Sequence, residues 1–229
     1  FKNMTQASSE RTLIGAIVTP EISAVNTIMF LTMANTKQLL TVAGCAASLP
    51  IDFLLRVKGK SHVYEDEIQS SPMPTSELML EPIRNRILRL SALTSHYAAL
   101  WRGNSQRVSQ DGFTTSCSLL SVEKEDSWEC LSNDWRSGSP LRSCYSRRQA
   151  LLEIDVLVAL GLDLSLDELV SMYKIQFPVL QDYDSADEYD SKGRRLPNST
   201  RKDPGQKELA EARKDHDRKS PLTVSWKID

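Results

Sequence analysis

"LLEIDVLVALGLDLSLDEL", residues 151–169, decides how the second half of the chain folds. Leu151, Ile154, Leu157 and Val158 recur at steps of three and four, so they share one helix face. Gly161 stands where a C-terminal cap is expected. Ser165 followed by Glu168 is a capping box, opening a second helix through Leu169, Met172 and Tyr173 to Phe177. Pro178 is expected to end that helix, which makes 146–180 a helical hairpin. Glu153 and Asp155 are two residues apart, about 200° around the helix axis. They cannot converge on one substrate as a catalytic carboxylate pair does. Glu153 is expected to pair with Arg147, Arg148 or another cation, and Asp155 to accept from backbone or arginine.

Upstream of the hairpin the pattern changes. "RTLIGAIVT", 11–19, is rich in aliphatic and β-branched residues and reads as a buried strand; "NTIMFLTM", 26–33, reads as a second. Residues 36–48 are helix-prone, and Pro50 separates them from 51–57, which fits either a helical turn or a strand. "KGKSH", 58–62, is a basic loop, and the prolines of "QSSPMPTS", 69–76, demand extended backbone. The expected fold class is a mixed α/β lobe, 1–76, followed by a long spacer helix, 77–102. In that helix Pro82 falls in the first turn, and Ile83, Ile87, Leu90, Thr94, Tyr97 and Trp101 form a heptad-like seam. A Ser- and Gly-rich irregular connection spans 103–145, then the hairpin, 146–180. A charged tail, 181–229, ends in the strand-like "LTVSWKID". The chain opens at Phe1 and ends within that strand pattern, as expected of an internal stretch of a longer protein.

A net charge of −2 excludes a uniformly basic surface but leaves room for a local basic groove. No apolar run is long enough to span a bilayer, and the opening residues lack the sections of a signal peptide. With Cys45, Cys117, Cys130 and Cys144 too scattered for a zinc knuckle, reduced thiols and a cytoplasmic location are expected. Nucleotide-binding, nucleophile-elbow and metalloprotease motifs are all missing, and His62, His96 and His216 stand apart. Neither a catalytic residue nor a cofactor or metal ligand can be nominated in this chain. Cations do cluster. Arg56, Lys58 and Lys60 flank Ser61 and His62; Arg84, Arg86 and Arg89 lie off the spacer seam; Arg142, Arg147 and Arg148 precede the hairpin; Lys192, Arg194 and Arg195 lie in the tail. Lysine, serine and histidine on a loop suit phosphate and base-edge contacts.

Residues 25–74 resemble the target-recognition domains of bacterial restriction–modification DNA methyltransferases. The resemblance lies in a strand asparagine, a helix ending in an Asn-Ser pair, an Asp-Phe segment, a loop and a closing Pro-x-Pro. Asn26, Ser48, Asp52, Phe53, Pro72 and Pro74 fill those places, with Ala47 replacing the usual asparagine. Residues 147–180 resemble the helical segment near the C-terminus of type IIG-like and BREX- or DISARM-associated adenine methyltransferases. There an acidic-Ile/Leu-Asp-x-Leu-Val-Ala helix leads through a Tyr-Gly turn to a second helix ending in Phe-Pro. Gly161 is present here and the turn tyrosine is not.

The resemblance implies division of labour. Such enzymes use S-adenosylmethionine to methylate a flipped adenine in an Asn-Pro-Pro-Tyr/Phe site. Neither that tetrapeptide nor the methyl-donor glycine motif occurs here, so both are expected in an upstream domain. This chain would supply recognition of double-stranded DNA, with Asn26, Arg56, Lys58, Lys60, Ser61 and His62 as candidate contacts. Its partners would be that methyltransferase domain, DNA and other subunits of a phage-defence system. The alternative is a non-catalytic protein–protein interaction module of such a complex.

Overall fold

The computed structural model describes residues 9–20, 22–23, 28–59, 62–114, 126–129, 131–189 and 192–196. Among the described residues eight α-helices carry the fold: α1 Thr36–Ala46, α2 Leu49–Lys58, α3 Glu65–Gln69, α4 Glu77–Ser91, α5 Ala98–Asn104, α6 Cys144–Gly161, α7 Leu166–Gln176 and α8 Pro178–Ala186. Helix accounts for 55% of the described residues and strand for 2%, with no sheet among them. The expected α/β lobe is therefore corrected to an all-helical body.

The two expected strands show why. Residues 11–19 form neither helix nor strand, and among the described residues their backbone bonds to side chains and not to a neighbouring strand. Asp52 accepts from the Thr12 and Leu13 amides, and Tyr97 donates to the Ile17 carbonyl at 2.8 Å. Leu13 and Ile17 are buried while Ile14 and Val18 face solvent. Within 28–33 the alternation is real, with Met29 and Leu31 packed on the core and Ile28 and Phe30 exposed. A strand-like sequence fits a pleated surface only when a second strand is there to pair with it.

The α1–α2 break is sharp. Pro50 occupies the first turn of α2, where its missing N–H is harmless, and the two helices bend by 65°. No single described helix is long and apolar enough to cross a membrane. α1 and α6 both pack on α4. Gly44 permits the first approach, since a Cβ there would collide with the Ile83 side chain. Ile83, Ile87 and Leu90 lie in one buried cluster with Leu40, Cys45, Ile51, Ile154 and Val158. That cluster reaches from Leu13 to Val158, joining the segments expected as lobe, spacer and hairpin.

The spacer is not one helix. α4 stops at Ser91, and a 3-10 turn, Ser95–Tyr97, precedes α5. Carbonyls freed at this end are taken by side chains: Leu90 by Arg147 at 3.0 Å, Ala92 by Trp135 at 2.8 Å and Leu93 by Arg142 at 2.9 Å. Pro82 sits six residues into α4, inside the helix and not in its first turn.

The hairpin forms as expected, with the Ser165–Glu168 box intact. Pro178, however, ends α7 and also starts α8, so helix continues into the expected tail as far as Ala186. Gly161 is the last residue of α6 and serves packing: a Cβ there would lie 2.6 Å from the Pro74 ring. The final strand-like octapeptide lies outside the described residues.

Candidate nucleic-acid interface

The basic loop hangs from the C-terminus of α2. Gly59 closes that helix at φ 62°, a left-handed conformation glycine adopts without strain, and its N–H donates to the Arg56 carbonyl. Lys58 is exposed at the negative end of the helix dipole. His62 is half-buried, its ring 6.2 Å from that of Tyr64. Asn26, Lys60 and Ser61 lie outside the described residues.

Arg56 points the other way. Its guanidinium donates to the carbonyls of Gln176, Ser9 and Glu10, and sits 4.2 Å over the Phe177 ring. Its Nε is 3.8 Å from Asp52. Burial lowers the Arg56 pKa against the opposing pull of Asp52. As a DNA contact Arg56 is thus already spent inside the protein.

Around it lies a junction of α2, α6, α7 and the segment 9–18. Asp155 of α6 accepts from the Leu49 amide at 2.6 Å, satisfying a free N–H at the start of α2. Its other oxygen takes Arg11 at 2.7 Å. For Arg11, burial works to lower the pKa, but Asp155, Asp52 and Glu10 together outweigh it and the net direction is up. Asp52 accepts Thr12 N–H at 3.0 and 2.9 Å and Leu13 N–H at 3.1 Å. Burial still pushes its carboxyl above the ordinary value, against those bonds and the nearby arginines. Ser48, just before α2, donates its hydroxyl to the Cys45 carbonyl at 2.6 Å.

A second interior charge network faces the other side of α6. Arg86 bonds Glu153 at 2.7 Å, Asp111 at 3.0 Å and the carbonyls of Pro82 and Gly112. Glu153 also accepts from Thr114 and Gln149. Burial works to raise Glu153, yet Gln149, Arg86 and Thr114 together hold it below the ordinary value. Arg89, fully buried, donates to the Ser139 and Asp126 carbonyls and stacks 4.5 Å from Trp128. With no carboxylate in direct contact among the described residues, burial drops its pKa to about 10.

The α4 cations that lie off the seam, Arg84, Arg86 and Arg89, are therefore interior groups. Arg147 likewise turns to backbone carbonyls, and Arg148 pairs with Asp184 and Glu10. The sequence carried one usable signal for this: Asp52, alone among apolar neighbours in "LPIDFLL", needs a buried partner. Nothing comparable marks Arg11 or Asp111, which come from distant loops. Thiol chemistry is muted at Cys45, whose pKa burial raises to about 12. Shallow depressions also mark the surface of the described residues. One lies beside Tyr145, Arg148 and Asp184; another is a groove between α2 and α7. No protein-family model matches this chain, and it is similar to no curated protein and no solved structure.

Proposed function

We propose that this chain is the helical part of the DNA-recognition region of an S-adenosylmethionine-dependent adenine-N6 methyltransferase. It would act in the cytoplasm, within a restriction–modification or phage-defence system. Methyl transfer would belong to a catalytic domain elsewhere in a longer protein, and this chain would select the target.

One observation carries the reading. The two stretches that resemble the family, 25–74 and 147–180, are far apart in sequence, yet they pack together at or beside residues that carry the resemblance. Asp155 caps α2 just before Asp52 and Phe53. Pro74 lies against Gly161. Phe177, of the closing Phe-Pro, carries Arg56 on its ring. The packing of the two segments around Pro74, Gly161, Asp155 and Phe177 is what supports treating the two likenesses as one. In this arrangement the α2 tip presents Lys58 outward, and Lys60 and Ser61 come next in the sequence.

Duplex binding by the purified chain, followed by fluorescence anisotropy across a salt series, tests this. The logarithm of the binding constant should fall linearly with log salt, and Lys58→Ala with Lys60→Ala should weaken binding and flatten the slope by about one per lysine. Binding that ignores both the lysines and the salt would remove the α2 tip from DNA contact.

A further inference from the structure

We propose that the α2–α7 groove docks an amphipathic helix of a protein partner, one carrying two apolar side chains a turn apart and flanked by Lys or Arg. The proposal stands independently of DNA binding by the α2 tip. Phe53 lines the groove from α2, and Asp167, Glu168, Ser171, Met172 and Ile175 line it from α7. The α7 residues repeat at three- and four-residue spacing, so they form one continuous face. Val57, one turn beyond Phe53, is 59% exposed, and Ile175 is 71% exposed. Beneath them, Phe53 and Met172 rest on a small core of Leu49, Ala159, Leu169, Phe177 and Leu180, which makes the floor firm. Contiguous exposed apolar side chains on such a floor mark an interaction surface. Met172 adds a polarizable, adaptable contact.

Shape and charge choose the occupant. At about 290 Å³ the groove is open and shallow, suited to side chains of a docked helix more than to an enclosed small ligand. Its lip is acidic. Asp167 forms no ion pair among the described residues, and Glu168 is bonded to Ser165 within its own cap. Both stand in the first turn of α7, and Asp163 is exposed just before it. Carboxylates at this rim repel phosphate, whether of nucleic acid or lipid, and attract Lys and Arg. A basic amphipathic helix satisfies both the apolar floor and the lip.

The test uses the full chain and a fluorescein-labelled alanine-based helical peptide with leucines at i and i+4 between lysines. A counter-probe replaces those lysines with glutamates. The basic peptide should bind saturably and shift the Met172 methyl resonance, assigned with Met172→Leu. Ile175→Asp and Asp167→Lys should each cost about tenfold in affinity, as for a central apolar anchor and its charge partner. Both positions are exposed, so the denaturation midpoint should fall only by the small helix-dipole cost of the new charges. Lys58→Ala with Lys60→Ala should leave peptide binding unchanged, which separates this surface from the duplex-binding one. The proposal is overturned by absent saturation, by equal binding of the glutamate probe, or by both variants binding as the parent does. Self-association in sedimentation that Ile175→Asp abolishes would instead assign the groove to a second copy.

Discussion

Arg56 and Lys58 stand two residues apart on α2 and live in opposite worlds. Arg56 enters the junction with α6 and α7, where carbonyls, Asp52 and the Phe177 ring account for its guanidinium. Lys58 faces solvent at the end of the same helix. A cation in the junction acts on stability, because removing it strands buried partners. A cation at the tip acts on whatever binds there and leaves the fold alone.

Asp155 gives the sharpest contrast. Asp155→Ala should cost roughly 3–5 kcal/mol in urea denaturation, since it leaves Arg11 uncompensated and the Leu49 amide without its acceptor. A loss comparable to a surface substitution would show that the junction does not hold the helices together. Gly161→Ala comes next. The Pro74 ring cannot rotate away from a new methyl, so overpacking of about 1–3 kcal/mol should appear in the same assay.

Acid separates the two sides of α6. Glu153 is held below its ordinary value, so its contribution is present above about pH 4.5 and is lost as pH falls. The stability gap between the parent and Glu153→Gln should be full at neutral pH and close on acidification. Asp52 is raised, so its sign reverses: its contribution is full below the unfolded value near 3.8 and is lost as pH rises. Against Asp52→Asn, the parent should therefore gain on acidification. Parallel profiles for the two variants would break the distinction. The smallest effect on the fold belongs to Lys58→Ala, within about 0.5 kcal/mol.

Local signals were legible where local physics decides the outcome. The Ser165–Glu168 box, the α1–α2 break at Pro50 and the opposed faces of Glu153 and Asp155 depend on neighbours within a turn or two. Both carboxylates found the expected kinds of partner, an arginine for Glu153, and an arginine and a backbone amide for Asp155. The absence of a sheet was not legible. "RTLIGAIVT" has strand composition, and only the arrival of Asp52 and Tyr97 from elsewhere supplies its backbone partners. The buried arginines were hidden for the same reason. Arg86 and Arg89 look like a solvated helix face until the 105–114 and 126–143 loops fold over them. Gly161 looked like a cap because the proline it accommodates lies almost ninety residues upstream.

One paired experiment tests the division between junction and tip most directly: Arg56→Gln and Lys58→Ala, each measured for denaturation midpoint and for duplex affinity under conditions where both are folded. Arg56→Gln should lower the midpoint and leave duplex affinity unchanged, while Lys58→Ala should lower affinity and leave the midpoint unchanged. The reverse assignment, with Arg56 governing affinity and Lys58 without effect on it, would contradict the inward placement of Arg56 and the role of the α2 tip together.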